Sequence, residues 1–349
     1  AVDPAKYRIT PIGIDRDGQW QLATGANEAV IGEFGAGSEF DSEARSASGP
    51  VLEPVLQRLE AVGDSLSPTP MLAAAMRAGP VVVMPLLHGP LGEDGTVQGM
   101  LELMDVPYVG SGVLASAVGM DKAIAKEVLG FHGIPQARWV SLRAHEIGPA
   151  RLADVAAQLG LPVFVKPSNM GSSIGVTKAS TPEALQSSVE HALTYDEWVV
   201  IEEAVAGREI EVAVLGNLDP VASLPGEIVP GKEFYDYEDK YLADGAELLV
   251  PAPLSDEETA DVRQRAVEVF RALRCDGLAR VDFFLEHSTA WGGGRGFLVN
   301  EVNTMPGFTP ISMYPKMWQQ SGMTYAQLVD RLIDLAIERH ARRRRNTKR

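Results

Sequence analysis

The chain has 349 residues, a net charge of −16 at pH 7 and 45% hydrophobic residues, a composition typical of a globular protein with more than one domain. The acidic balance excludes a general nucleic-acid binder, which would need a basic face, and no uninterrupted apolar stretch approaches the length of a membrane span. The single cysteine, Cys275, cannot form an internal disulfide, which favours a reducing, cytoplasmic environment.

The first part of the chain predicts an α/β domain over residues 1–110. The stretch YRITPIGIDRDGQWQLA alternates and turns at Asp17-Gly18, which indicates a β-hairpin. The apolar run GPVVVMPLL predicts a buried strand over residues 79–87, and it is followed by a glycine-rich loop, HGPLGEDG, and a helix, GMLELMDV. A strand, a loop and a helix in this order are typical of an α/β unit.

Two further α/β domains are predicted, over residues 111–201 and 202–349. MDKAIAKEVLGFHG predicts an amphipathic helix, and LPVFVKPSNMGSSIGVTKA predicts two strands joined by a glycine- and serine-rich loop. The long helix SDEETADVRQRAVEVFRALR precedes two strands, LARVDFFLEH and RGFLVNEVN, which we expect to pair. Residues 231–245 predict an irregular, tyrosine-rich loop that is typical of a lid over an active site.

The loop after Lys166 has the composition of an anion-binding loop. Lys166 ends an apolar strand, and the loop that follows includes Gly171, Ser172, Ser173 and Gly175. Such a loop can surround anionic oxygens with backbone N–H groups and hydroxyls, because nothing bulky blocks the approach. Taken alone, the pattern favours a solvated hairpin, so a phosphate site needs a second indication.

The two late strands supply that indication. Arg280 and Asp282 are two residues apart in one strand, and Glu301 and Asn303 in the other, so alternation places each pair on one face. Two carboxylates and an amide are hard oxygen donors that suit Mg²⁺ shared with substrate phosphates better than zinc. The alternative, a plain solvated sheet face, is disfavoured because the intervening residue Val281 already faces the core.

Six motifs together resemble a known family. HGPLGEDG, MDK, VKPSNMGSSIGV, EFYDYEDKY, ARVDFF and NEVNTMPGFTPIS are similar, in the same order, to motifs of the D-alanine–D-alanine ligases of the ATP-grasp superfamily, over residues 81–315. The resemblance implies an α/β ATP-grasp fold of three α/β domains, with ATP between the middle and C-terminal domains. It also implies two Mg²⁺ ions, with Mn²⁺ as a substitute, a homodimer, and ligation of two D-alanine molecules through an acyl phosphate for peptidoglycan synthesis.

The resemblance also implies roles for individual residues. The nucleotide-binding set is Lys122, Lys166, Gly171, Ser173, Glu202, Val205, Glu209 and Lys240. The magnesium ligands are Asp282, Glu301 and Asn303, and the substrate-binding set is His88, Ser312 and Met313. The catalytic set comprises the oxyanion-stabilising Arg280 and Gly307, together with three residues of the closing loops, Ser172, Lys240 and Tyr241.

Two alternatives stay open at this point. The family begins with a strand and a helix that carry the motif SxEHxVS, and we expect this chain to lack that segment, so a catalytically impaired, ATP-binding fragment is one alternative. A D-alanine–D-lactate ligase is the other. It is disfavoured by Tyr241, because relatives that use D-lactate depart from tyrosine at this position.

Overall fold

The computed structural model describes residues 3–14, 20–22, 72–73, 75–77, 79–229, 247–287, 294–309 and 312–343. The chain divides into two compact units, Ala1–Val81 with Tyr325–Asp330, and Val82–Thr324 with Arg331–Arg349. In the first unit the predicted hairpin is confirmed, since β1 (Ile12–Ile14) pairs antiparallel with β2 (Trp20–Leu22). The turn at Asp17-Gly18 lies outside the described residues.

The second unit begins with an extended segment that only partly matches the predicted buried strand. Within residues 82–87, Val83 alone forms a bridge, to Tyr108, and Leu86 is 54% exposed. Proline explains the difference, because Pro80 and Pro85 flank the run and cannot donate a ladder hydrogen bond. The prediction of a regular buried strand is therefore wrong for this part of the described chain.

Three helices follow: α1 (Thr96–Leu103), α2 (Val113–Met120) and α3 (Lys122–Phe131). The first and third were predicted. The second, VLASAVGM, was missed because its glycine and serine content gives a weak helical signal.

A four-stranded antiparallel sheet forms the middle of the unit. Its strands are β3 (Trp139–Arg143), β4 (Val163–Pro167), β5 (Thr177–Ala179) and β6 (Trp198–Glu203), in the order β3-β6-β4-β5. Helices α4 (Pro149–Leu159) and α5 (Pro182–Ala192) share one core with this sheet. That core contains Val155, Val163, Leu185, Val189 and Val199, all at most 1% exposed.

A six-stranded antiparallel sheet follows. It consists of β7 (Arg208–Gly216), β8 (Val221–Ala222), β9 (Gly226–Val229), β10 (Glu247–Leu249), β11 (Gly277–Glu286) and β12 (Gly296–Asn303). The order is β10-β9-β7-β11-β12, with β8 pairing β7, and β11 and β12 pair as predicted.

Among the described residues, α6 (Asp256–Ala272) lies between β10 and β11, and α7 (Met313–Gln320) and α8 (Tyr325–Arg343) follow β12. Ser255 and Glu258 form a capping box that fixes the start of α6, and Val269 and Phe270 of this helix belong to the core of the six-stranded sheet. None of the helices in the described ranges combines the length and apolar character that a membrane crossing requires.

Candidate active site

The loop after β4 has the backbone geometry of a functional loop. Ser172 and Ser173 have φ values of 54° and 60°, and Gly175 has a φ of 73°, so three of four consecutive residues are left-handed. Side chains other than glycine rarely adopt this region, and such residues cluster at ligand-binding sites. A Cβ on Gly171 would lie 3.4 Å from both Glu93 Oε1 and Gly89 Cα, so this loop packs against the glycine-rich loop of residues 88–95.

The start of α3 is fastened to the same loop. The Asp121 carboxylate caps the helix by accepting from Ile124 N–H, and it also accepts a hydrogen bond of 2.7 Å from Ser168 Oγ. Lys122 N–H donates to the Ser168 carbonyl at 2.9 Å, and Lys122 Nζ donates to the carbonyl of Met170. The ammonium of Lys122 therefore lies at the base of the loop between β4 and β5, residues 168–176, which is the predicted anion-binding loop and is called the phosphate loop below.

Lys166 takes part in a buried charge cluster. Its Nζ donates to Glu202 Oε2 at 2.9 Å and to Asn300 Oδ1 at 3.2 Å. The other oxygen of Glu202 lies 3.2 Å from Lys126 Nζ. Burial would raise the pKa of the Glu202 carboxyl, but Lys126 and Lys166 outweigh burial and lower the pKa to about 2. Glu202 is therefore a carboxylate shared between two ammonium groups.

Two of the predicted metal ligands, Asp282 and Glu301, lie opposite each other on neighbouring strands, and the third, Asn303, lies opposite Arg280. Asp282 is opposite Glu301 of β12 and opposite Glu211 of β7. The guanidinium of Arg280 donates to both oxygens of Asp282 at 2.7 and 2.8 Å, and its Nε is also 3.2 Å from Glu211 Oε1. Asn303 Nδ2 donates to Asp282 at 2.9 Å. Carboxylates and arginine thus converge as the alternation of the sequence predicts.

The donor set fits a hard divalent cation. Over the described ranges, no three His, Cys, Asp or Glu side chains group closely enough to hold a metal ion. The predicted set has two carboxylates, those of Asp282 and Glu301, and takes its third oxygen from the amide of Asn303. Because Asn303 uses its nitrogen towards Asp282, its oxygen stays available to a cation.

A cleft connects these elements. Its lining includes side chains from the glycine-rich loop, α3, the phosphate loop and β12, namely Glu93, Lys122, Ser172, Glu301 and Asn303. The predicted anion-binding loop and two of the predicted metal ligands, Glu301 and Asn303, therefore line the same cleft.

Glu93 and His88 occupy the glycine-rich loop beside the cleft. Burial, and to a smaller extent the nearby Glu301, raises the pKa of the Glu93 carboxyl to about 7. The hydrogen bond of 2.7 Å that this carboxyl accepts from Gly89 N–H acts in the opposite direction. His88 Nδ1 donates to the Met305 carbonyl at 3.0 Å, and burial lowers its pKa. His88 is thus fixed next to the turn that precedes Gly307.

Gly307 and Ser312 lie side by side at the start of α7. A Cβ on Gly307 would be 3.1 Å from Ser312 Oγ, which shows how closely the two residues approach. Ser312 Oγ accepts from Thr309 N–H at 3.0 Å and lies 2.8 Å from Thr309 Oγ1. Met313, the first residue of α7, is buried.

The remaining predicted residues are more scattered. Burial lowers the pKa of Lys166, but Glu202 foremost, with smaller contributions from Glu301 and from Glu209 on β7, raises it above its ordinary value. Val205 is half-buried in the segment between β6 and β7. Lys240 and Tyr241, with the whole predicted lid, lie outside the described residues.

Sequence reasoning missed four polar residues of the site, namely Glu93, Lys126, Glu211 and Asn300. Two of them had a usable signal. Lys126 is one helical turn after Lys122, and Glu211 is two strand positions after Glu209, so each lies on the same face as a residue that was selected.

Comparisons with known proteins agree over most of the chain. The family model described as D-ala D-ala ligase C-terminus matches residues 128–334, and the model described as D-ala D-ala ligase N-terminus matches residues 1–111. The D-alanine--D-alanine ligase of Geobacillus thermodenitrificans is 45% identical over 97% of this chain and 89% of its own length. The D-alanine--D-alanine ligase of Kineococcus radiotolerans is 47% identical over 97% of this chain and 90% of its own.

Solved structures give the same result. The D-alanine-D-alanine ligase from Coxiella burnetii superposes with a TM-score of 0.75 at 34% identity, covering 98% of this chain and 87% of that one. The VanG D-Ala:D-Ser ligase from Enterococcus faecalis gives a TM-score of 0.73 at 32% identity, covering 96% and 91%. The fold is therefore the ATP-grasp fold, and the chain belongs to the D-alanine–D-alanine ligase family.

Proposed function

We propose that the chain is an ATP-dependent ligase that joins two D-alanine molecules into D-alanyl-D-alanine, the dipeptide of peptidoglycan precursors. The observation that carries the proposal is the cleft that Lys122 and Ser172 line together with Glu301 and Asn303, the residues opposite Asp282 and Arg280 in the sheet. The names of the relatives support the choice of substrate.

The nucleotide phosphates are bound by lysines and bare backbone. Lys122 and Lys166 supply positive charge, and the left-handed backbone of Ser172 and Ser173 turns the loop around the phosphate oxygens. Gly171 lets the loop approach closely. In the proposal, Glu202, Val205 and Glu209 contact the adenosine part.

The reaction needs an activated carboxylate, because a carboxylate ion is a poor acyl donor. A carboxylate oxygen of the first D-alanine attacks the γ-phosphorus of ATP, so that ADP leaves and an acyl phosphate forms. The amine of the second D-alanine then attacks the carbonyl carbon, loses a proton and expels inorganic phosphate. Water must be kept out between the two steps, and the proposed lid with Lys240 and Tyr241 would do this with Ser172.

Arg280 and Gly307 stabilise the charge that develops on the carbonyl oxygen in the second step. Arg280 remains charged despite its burial, because Asp282 and Glu211 hold the guanidinium and raise its pKa. A fixed guanidinium and the backbone N–H of Gly307 together form an oxyanion site. Ser312 and the N–H of Met313 hold the carboxylate of the second D-alanine, and His88 lies near the first.

Two Mg²⁺ ions complete the proposed site, held by Asp282, Glu301 and Asn303. When bound, they neutralise charge on the β- and γ-phosphates.

The wider organisation is part of the proposal. Three domains, over residues 1–110, 111–201 and 202–349, would hold ATP between the second and the third. The four-stranded sheet ends with β6 at Glu203 and the six-stranded sheet begins with β7 at Arg208, which supports a boundary between these two residues, slightly later than residue 201. A homodimer and a cytoplasmic location are inferred from the family resemblance and the composition.

A product assay tests the function. The chain is incubated with ATP and Mg²⁺ and with D-alanine alone, or with D-alanine plus D-serine or D-lactate at neutral pH, and the products are identified by mass. We expect ADP release that depends on D-alanine and yields the dipeptide. Because the similar VanG enzyme is a D-Ala:D-Ser ligase, D-serine is the informative competitor. ADP binding without any product would instead identify an impaired, nucleotide-binding chain.

A further inference from the structure

A second lysine lies behind Lys166 and has no role in the proposed reaction. Lys126, on α3, is 3% exposed, so its ammonium is almost entirely removed from water. An ammonium in such a place is costly unless a charge offsets its burial. Glu202 Oε1, 3.2 Å away, supplies that charge.

Glu202 uses its two oxygens differently. Oε1 faces Lys126 and Oε2 faces Lys166. The two lysines also differ in position, because the Lys166 side chain is 13% exposed while the Lys126 side chain is only 4% exposed. Lys166, at the end of β4, is therefore the more exposed of the two lysines, and Lys126 is the more deeply buried.

When the Lys166 ammonium moves onto a nucleotide phosphate, it compensates the charge of its protein carboxylate, Glu202, less strongly. If Lys166 were the sole counter-charge of Glu202, its departure would leave a buried carboxylate unpaired, and breaking one side of a buried ion pair is strongly destabilising. A second ammonium on the other oxygen removes most of this penalty. The arrangement therefore allows Lys166 to change partners.

We propose that Lys126 is a positioning residue for nucleotide binding, which stays on Glu202 as its permanent counter-charge while Lys166 exchanges Glu202 for a nucleotide phosphate. The inference rests on the proposed function. It differs from a purely structural role for Lys126, which would affect folding and leave nucleotide affinity unchanged.

The experiment measures ADP binding to the full chain by calorimetry in the presence of Mg²⁺. In Lys126→Met, a side chain of similar length carries no charge, and we expect the dissociation constant of ADP to rise roughly tenfold or more. The KM for ATP should rise in parallel, while the KM for D-alanine stays within about twofold. Lys126→Arg should restore ADP binding to within about threefold, because it keeps the charge.

A control on the same helix separates positioning from stability. Leu129 is 3% exposed and belongs to the apolar core, so Leu129→Ala should lower the melting temperature and leave the dissociation constant of ADP unchanged. If Lys126→Met does not fold, Lys126→Gln replaces it, and we expect the same rise in the dissociation constant of ADP and the same unchanged KM for D-alanine.

A double-mutant cycle tests the partner. In a Glu202→Gln background there is no carboxylate to neutralise, so adding Lys126→Met should change ADP binding by less than about threefold. If Lys126→Met binds ADP as tightly as the wild-type chain, or if it weakens ADP binding equally in the wild-type and Glu202→Gln backgrounds, the inference about Lys126 is wrong and the proposed function is unaffected. A wild-type chain that binds no ADP would overturn the proposed function and the inference with it.

Discussion

Glu93 should lower the stability of the protein at alkaline pH, and Glu93→Gln should remove that loss. The carboxyl is 8% exposed and lies beside the cleft. Burial, with Glu301 nearby, raises its pKa from 4.5 to about 7. Glutamine keeps an oxygen that can accept from Gly89 N–H but carries no charge, so it isolates the effect of ionisation.

The sign follows from proton binding. Below pH 4.5 the carboxyl is protonated in the folded and the unfolded chain, so it contributes no difference between variants. Between pH 4.5 and about 7 the unfolded chain releases the proton while the folded chain keeps it, and the free energy of unfolding falls as pH rises. A pKa difference of 7 − 4.5 = 2.5 corresponds to about 3 kcal/mol above this window.

The assay compares thermal unfolding of the two variants at pH 4.5 and pH 8, in EDTA so that no metal contributes. At pH 8 we expect Glu93→Gln to melt roughly 4 °C or more above the unsubstituted chain, and at pH 4.5 the two should melt together. Glu268→Gln, at an exposed position of α6, serves as the control and should melt at the same temperature as the unsubstituted chain at both pH values. A Glu93→Gln variant that is no more stable at pH 8 would refute the assigned desolvation.

Three further substitutions probe the rest of the site. Asp282→Asn should weaken Mg²⁺ binding in the presence of ADP by roughly tenfold or more, since a carboxylate ligand is lost; calorimetric titration showing unchanged affinity would remove Asp282 from the metal site. Glu211→Gln should lower kcat about tenfold without changing ADP affinity, because Arg280 loses a carboxylate that fixes it; steady-state kinetics with an unchanged kcat would contradict this. Gly175→Ala should lower the melting temperature more than Gly133→Ala. Both positions have positive φ, but only at Gly175 would the added Cβ lie 2.7 Å from neighbouring side chains, so equal losses would show that this crowding is relieved at no cost.

Strand alternation predicted the metal-ligand row well. The spacing of Arg280 and Asp282, and of Glu301 and Asn303, places each pair on one face, and the register of β11 and β12 brings them opposite one another. The prediction succeeded because the strands are long and strongly patterned. The apolar run before the glycine-rich loop failed for the opposite reason, since its flanking prolines interrupt the ladder.

The buried charge cluster could not be derived from the sequence. Lys126 and Glu202 are 76 positions apart, and their pairing depends on how α3 packs on the four-stranded sheet. A lysine on an amphipathic helix is ordinarily solvated, so local pattern favours the wrong environment. Likewise, nothing local predicts that Glu93 is desolvated, because residues far away in the sequence, including Gly171 and Glu301, line the cleft beside it.

Oxygen transfer during the reaction tests the central claim most directly. D-alanine labelled with ¹⁸O in its carboxylate is incubated with the enzyme, ATP and Mg²⁺, and the released phosphate is analysed by mass spectrometry. Activation through an acyl phosphate predicts that one labelled oxygen passes from D-alanine to phosphate for each dipeptide formed. Dipeptide formation with unlabelled phosphate, or ADP release without dipeptide, would contradict the account.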